Sequence, residues 1–159
     1  MEINYIFSYQ TALGKISIAE NGKAITNIYF QNDNIPEDFI VHETDLIKEA
    51  NSELQSYLSG KLKDFTLPIA PSGTEFMQRV WEVLQTIPYG ETRSYKHVAH
   101  SIGNIKSSRA VGLANNKNPI PILIPCHRVI GANGKLVGYR GKLQIKEHLL
   151  NLERPNLNL

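Results

Sequence analysis

Ile120–Ile130 reads Ile-Pro-Ile-Leu-Ile-Pro-Cys-His-Arg-Val-Ile and contains Cys126, the only cysteine among 159 residues. Prolines at 119, 121 and 125 deny this segment a helix, so the apolar run is predicted to cross a core extended and to deliver Cys126 at its end. Beside the sulfur, His127 and Arg128 supply a base and a cation, the neighbours that lower a thiol pKa from its free value of about 8.5. A plainer alternative stands against this, because a lone cysteine in apolar surroundings is usually a small core residue. The order Pro-Cys-His-Arg speaks for chemistry, since two polar groups stand where a core strand would continue apolar. Adjacency does not by itself join them. Successive side chains of an extended chain point to opposite faces, so a water or a turn must link His127 to the sulfur.

Downstream, Asn133-Gly134 signals a hairpin that pairs Arg128–Gly131 with Val137–Tyr139. Residues 138–141 read as a loop into a last helix, Leu143–Leu152, with Ile145, Leu149 and Leu152 on one face and Pro155 beyond its end. Glu153 falls where the helix dipole disfavours a carboxylate, so either a specific partner or solvent must receive it.

Upstream lie two short helices. Ser94 can cap the first, with Val98, Ala99 and Ile102 facing inward and Gly103 stopping it; Ser107 or Ser108 can cap the second, which runs through Ala114. The pair has the form of a helix-turn-helix. In Arg109-Ala-Val-Gly-Leu-Ala-Asn, the small residues 110, 112 and 114 let the backbone approach a partner, or let it pack tightly on another helix. Gly112 costs about 1 kcal/mol of helix stability under either account. Before the pair, Ser72 and Glu75 have capping-box spacing. Phe76, Met77, Val80, Trp81 and Leu84 then recur at helical intervals to about Gln85, with Trp81 read as core.

Pro71-Ser72-Gly73 is the expected boundary, dividing an N-terminal domain over 1–71 from a C-terminal one over 72–159. In the first, Ile3–Tyr9 is β-rich, and Lys15–Ala19 with Ala24–Phe30 flank Asn21-Gly22 as a hairpin. Residues 31–43 form a polar connection. A helix is predicted from about Asp45, with Thr44 as cap, an apolar face of Leu46, Ile47, Ala50, Leu54, Tyr57 and Leu58, and Gly60 at its end; Phe65–Ala70 is predicted as a further strand.

Composition bounds the function. The net charge of +2 conceals five Lys/Arg against ten Asp/Glu in residues 1–71 and twelve against five in 72–159, or −5 and +7. The half with the cysteine is the basic one, which hints at a polyanionic partner, although a solvated basic surface gives the same count. No apolar run is long enough to span a bilayer, and Met-Glu-Ile-Asn-Tyr lacks the features of a signal peptide, so an intracellular protein without membrane attachment is expected. A single cysteine excludes an internal disulfide, and no Cys-x-x-Cys or His-x-x-x-His pair offers a zinc signature.

With these motifs assembled, the chain resembles the O6-alkylguanine-DNA alkyltransferases, also called methylated-DNA–protein-cysteine methyltransferases. The matching residues are Tyr95, Arg109-Ala-Val-Gly112, Asn118-Pro119, Pro121 through Val129, Gly138-Tyr139 and Lys146-Glu-x-Leu-Leu through Glu153, with their mutual spacings. They cover essentially all of residues 72–155; the N-terminal half carries no diagnostic motif. The resemblance implies an α+β fold: a small antiparallel-sheet domain with a helix, ribonuclease H-like, followed by a mainly helical, winged-helix-like domain holding the helix-turn-helix.

It also implies a chemistry. Cys126 would be the nucleophile and alkyl acceptor, activated by His127 through a water, with Glu153 orienting the imidazole. Tyr95 would donate to guanine N3, and Asn118 would tie the two short helices to the active-site segment. Arg109 would enter the base stack of double-stranded DNA, bound through its minor groove, to replace an everted alkylguanine. Ser108, Ala110, Gly112, Ala114, Arg128, Val129, Tyr139 and Arg140 complete the expected DNA and base contacts, with carbonyls around Cys126 and Val129 accepting from the guanine amino group. Repair would be stoichiometric, one turnover per molecule, by a cytoplasmic monomer (nuclear in a eukaryote) without cofactor or metal; the N-terminal cysteines of zinc-binding relatives are missing. Arg140 departs from the smaller residues of the family, which implies a preference for small adducts. A non-catalytic alkylguanine-binding protein of the same fold is the first alternative, and a cysteine hydrolase or redox enzyme on another fold the second.

Overall fold

The computed structural model describes residues 2–134, 136, 139 and 142–155, which form two units by backbone contact, Met1–Ser72 and Gly73–Leu159. In the first unit, β1 (Tyr5–Thr11), β2 (Gly14–Glu20) and β3 (Ile25–Phe30) form an antiparallel meander. The expected hairpin is present: Asn21 N–H donates to the Ala24 carbonyl at 3.2 Å, Asn21 Oδ1 accepts from the Lys23 and Ala24 amides, and Gly22 takes φ +92°. That backbone region favours glycine. The polar connection contributes an unexpected element, β4 (Ile40–Val41), which pairs parallel with β1 and gives the sheet order β3-β2-β1-β4.

Register sets the core. Ile16 faces Phe30 and Ile18 faces Ile28, so these four share one side of the sheet. α1 (Asp45–Leu58) closes that side with Ile47, Ala50, Leu54, Tyr57 and Leu58, and Thr44 caps it as predicted by accepting from the Ile47 amide at 3.2 Å. On the opposite side Ile6, Ala19 and Tyr29 cluster under Phe39. Burial on both faces explains why β2 is apolar or small through Ile16–Ala19 rather than alternating. The predicted strand over 65–70 is instead an irregular extended segment with a single bridge, Ile25 to Ile69. Pro68 has no amide to donate, and only the Pro68 carbonyl and the Ala70 amide bond to Ile25.

In the second unit, α2 (Glu75–Leu84) is capped by Thr74, whose Oγ1 accepts from the Met77 amide at 3.2 Å, and not by Ser72. Gly73 accounts for the difference. A Cβ at Gly73 would lie 2.4 Å from Trp81 Cη2, so the chain passes flat against the indole and turns into the helix one residue later. Trp81 is buried and donates Nε1–H to the Ala114 carbonyl at 2.9 Å, tying α2 to α4 (Ser108–Asn116). Gly73→Ala is expected to overpack this contact and to cost about 1–3 kcal/mol. A melting temperature equal to that of the unsubstituted protein would show that the contact is not tight.

α3 (Tyr95–Ser101) starts on Ser94, whose hydroxyl accepts from the His97 amide as expected, and ends before Gly103 at φ +83°. Between α3 and α4 lies a 3-10 turn, Ile105–Ser107, opened by Asn104. Ser107 precedes α4 without capping it by side chain, because its hydroxyl donates back to the Asn104 carbonyl at 2.6 Å. β5 (Arg93–Ser94) pairs parallel with β6 (Val129–Ile130). The strand partner predicted for residues 128–131 falls mostly outside the described residues, although the Gly131–Gly134 turn is present, with the Gly134 amide on the Gly131 carbonyl at 2.9 Å. α5 (Leu143–Glu153) buries Lys146, Leu149, Leu150 and Glu153, so its inward stripe lies one residue away from the predicted Ile145, Leu149 and Leu152. No helix among the described residues is long and apolar enough to cross a membrane.

The proline segment does not cross the core extended. Ile124 N–H returns to the Ile120 carbonyl at 2.9 Å around Ile122, which takes φ +76°. Pro125, at φ −79° and ψ 63°, is the centre of an inverse γ-turn in which Cys126 N–H reaches the Ile124 carbonyl at 2.8 Å. Proline fixes φ near −65°, which suits such turns as well as it suits a strand. Cys126–Arg128 then form a 3-10 turn.

Candidate active site

Asn118 stabilises the turn that leads to the cysteine. Its Nδ2 donates to the Ile124 carbonyl at 2.8 Å and its Oδ1 accepts from the Ile120 amide at 2.9 Å, so one buried carboxamide closes the loop from both ends. Cys126 emerges from it with 4% of its surface exposed. The residue is enclosed without being wholly sealed.

Glu153 gathers the neighbouring polar groups. It accepts from Arg128 Nε at 2.8 Å and Nη2 at 2.9 Å, from the Gly90 amide at 3.1 Å, and it meets His127 Nε2 at 2.7 Å. The remaining Arg128 nitrogen, Nη1, donates to the Ile87 carbonyl at 2.7 Å, and the guanidinium lies over the Tyr89 ring at 5.8 Å. A buried carboxylate is tolerable only when its lone pairs are filled. Hydrogen bonds and charge from His127 and Arg128 overcome the burial that would raise the Glu153 pKa and hold it far below the usual carboxylate range.

The carboxylate fixes the imidazole. Burial is the largest influence on His127 and lowers its pKa, opposed by Glu153 and reinforced by Arg128 and Lys146, so the ring is neutral at pH 7. An ionised Glu153 accepts from Nε2–H, and in a neutral ring the lone pair then resides on Nδ1. Nδ1 is the basic nitrogen.

Two further groups flank the sulfur. Tyr95 is the first residue of α3, and its phenol is pushed up to about 12, first by burial and then by the charge of Cys126. It is a neutral donor at physiological pH. Lys146 is 0% exposed; its Nζ donates to the Val129 carbonyl at 2.6 Å and sits 5.9 Å from the Tyr95 ring centroid. Burial draws its pKa down to about 8, against an upward pull from Cys126. Reading Ile145 and Leu152 as the buried face hid Lys146. The signal lay in Leu149 and Leu150, from which Lys146 and Glu153 are spaced on one helical stripe.

Several expected contacts are placed differently. Arg128 is 7% exposed and committed to Glu153, so its guanidinium is not a free cation beside the sulfur. Ala114 is buried beneath Trp81 and is not on the outer face of α4. The Cys126 carbonyl already accepts from Asn115 Nδ2 at 3.2 Å and from the Val129 amide, and the Val129 carbonyl accepts from Lys146. Arg109 and Ala110 are exposed at the start of α4, Ser108 and Gly112 are half-buried, and Leu113 is exposed alongside them. Tyr139 is half-buried, and Arg140 lies outside the described residues.

A cysteine, a neutral imidazole held by a carboxylate, a phenol and an ammonium thus converge behind a helix pair. Two family models cover the chain. Residues 75–155 match the DNA-binding domain of 6-O-methylguanine DNA methyltransferase, and residues 4–71 match its ribonuclease-like domain. The chain belongs to the 6-O-methylguanine DNA methyltransferase family. Its relatives include the methylated-DNA–protein-cysteine methyltransferase of Methanosarcina barkeri, 50% identical over 152 residues that cover 93% of this chain and 96% of that protein. The constitutive enzyme of that name from Bacillus subtilis is 45% identical over 159 residues, covering 96% of each. A crystal structure of Mycobacterium tuberculosis OGT in complex with DNA superposes with a TM-score of 0.90 at 41% identity, covering 95% of this chain and 93% of that one. The division into sheet-bearing and helical parts is that of the family.

Proposed function

We propose that this methyltransferase repairs DNA directly, moving the alkyl group of O6-alkylguanine onto Cys126. The observation that carries the reading is the buried line Cys126-His127-Glu153, in which burial keeps the imidazole neutral and the carboxylate on Nε2–H leaves Nδ1 basic. Nδ1 takes the thiol proton through a water. The thiolate attacks the alkyl carbon, an S–C bond forms as the C–O6 bond breaks, and the electron pair passes into the purine. Tyr95 donates to guanine N3 as that charge develops, which is electrostatic assistance where the transition state needs it. Lys146 offsets the charge on the sulfur before the attack. Asn118 keeps the cysteine turn fixed. The product is a thioether that nothing in the chain can reverse, so each molecule acts once.

Cys126 is too enclosed for the base to react while stacked, and this supports eversion of the nucleotide. Arg109 at the exposed start of α4 is the side chain suited to fill the vacated stack, with Ser108, Ala110 and Gly112 allowing the helix into the minor groove and Tyr139 near the base. The protein acts as a cytoplasmic monomer. DNA carrying radiolabelled O6-methylguanine tests the function: label must appear on Cys126 in at most equimolar amount. Free release of label, or more label transferred than protein present, refutes it.

Phosphate contact through the basic half, at +7, makes binding salt-dependent. A footprint of about three phosphates loses roughly fortyfold in affinity between about 50 and 200 mM salt. An affinity for unmodified duplex that stays flat over this range would show that the charge is only a solvated surface.

A further inference from the structure

Asn115 carries no role in the reaction proposed above, yet it touches two of its parts. It lies on α4 three residues after Gly112 and is 1% exposed. Its Nδ2 donates to the Cys126 carbonyl at 3.2 Å, and its side chain also hydrogen-bonds the Tyr95 phenol. A carbonyl only accepts, so the Cys126 contact fixes which end of the amide is nitrogen. The bond to the phenol favours the ionised form, as expected of an N–H pointed at the phenol oxygen. A phenol that accepts from Asn115 keeps its own O–H for a different acceptor. The same helix holds the ring, which stands 3.9 Å from where a Cβ on Gly112 would be. Meanwhile Asn115 Oδ1 is buried with no donor among the described residues. An apolar residue would escape that penalty, so it is the nitrogen end that the site uses.

We propose that Asn115 is a positioning residue for alkyl transfer: one carboxamide ties the Tyr95 phenol to the backbone of the nucleophile and aims the phenol O–H at the base. As the C–O6 bond breaks and guanine N3 draws the Tyr95 proton, negative charge grows on the phenol oxygen, and the Asn115 N–H stabilises it. The phenol recovers its proton from solvent once guanine has left. The inference rests on the alkyl-transfer reading and extends it to a side chain two bonds removed from the substrate.

The test is single-turnover transfer from methylguanine-containing duplex by the unsubstituted protein, Asn115→Ala, Tyr95→Phe and the double variant, with iodoacetamide alkylation of Cys126 measured in parallel. Iodide leaves without a proton from Tyr95, so that second reaction reports only on the thiol. Asn115→Ala is expected to slow DNA repair roughly ten- to a hundredfold, to leave the iodoacetamide rate unchanged, and to add less than about twofold in the Tyr95→Phe background. Additive losses in the double variant, or an iodoacetamide rate that falls by the same factor, would overturn the inference in favour of a disturbed cysteine turn. Should Asn115→Ala fail to fold, the isosteric Asn115→Asp decides the matter, because a carboxylate cannot donate to the phenol and must slow repair at least as much. Unsubstituted protein that takes no methyl group refutes the function itself; transfer that survives undiminished in the Asn115 variants refutes only this role.

Discussion

Cys126→Ala is expected to abolish methyl transfer completely while leaving affinity for alkylguanine DNA within about threefold, as the exposed start of α4 and its Arg109 are untouched. The change removes one sulfur from a turn whose shape is set by other atoms. Asn118 bonds at both ends of the loop, Pro125 centres the γ-turn, and Asn115 holds the residue-126 carbonyl rather than its side chain. The fold should therefore lose only about 1 kcal/mol, the scale of one small buried group. Lys146 also loses the negative partner that raises its pKa. Its ammonium form should become harder to maintain, and the variant should gain stability with rising pH through the region of pH 8. Residual label on the alanine variant would place the acceptor elsewhere and end the assignment.

Glu153→Gln is expected to have the second largest effect, and on two properties. Arg128 is buried and bidentate on this carboxylate, so the substitution leaves an uncompensated guanidinium at a cost of about 3–5 kcal/mol. It also frees His127 to take the other tautomer, and transfer measured well below the melting temperature should fall roughly a hundredfold or more. A variant as stable and as fast as the unsubstituted protein would mean that the network is ornamental.

The acid dependence of the unsubstituted protein follows from the same pair. Both groups have pKa values lowered on folding, so the unfolded chain binds more protons, and stability is present above the unfolded values and lost as pH falls. Loss begins below 6.5, the ordinary value for the His127 imidazole, and steepens below 4.5, that for the Glu153 carboxyl. In Glu153→Gln the steeper component should be missing from a plot of unfolding free energy against pH.

Local signals were readable where one side chain decides the backbone. Thr44 and Ser94 cap as their spacing predicts, and Asn21-Gly22 turns the hairpin. Where a signal has two physical outcomes, pattern alone selected the wrong one. Ser72 fits the capping box better than Thr74, but the close approach of Gly73 to Trp81 sets the entry. The three prolines exclude a helix and are compatible with strand or turn; the buried loop chose turn. β4 arises from non-local pairing that two residues cannot announce. At the site, Cys126 and His127 could be picked out in the sequence because they adjoin and Glu153 because its helix end disfavours a carboxylate, while the family resemblance supplied Tyr95 and the pairing of Glu153 with His127. Arg128 stands two residues from Cys126 in the sequence, while its partner Glu153 is 25 residues away and could not be read from adjacency. Asn115 and Lys146 had no isolated signature, being polar residues on faces that periodicity marks as apolar.

Glu153 is the last residue of α5, and the His127 and Arg128 side chains that it holds are made well before it in chain order. During translation, a nascent polypeptide that has emerged past Cys126 carries the nucleophile but neither the anion that sets the imidazole tautomer nor the ammonium of Lys146. Under the proposed chemistry, activation of the thiol therefore waits until α5 docks.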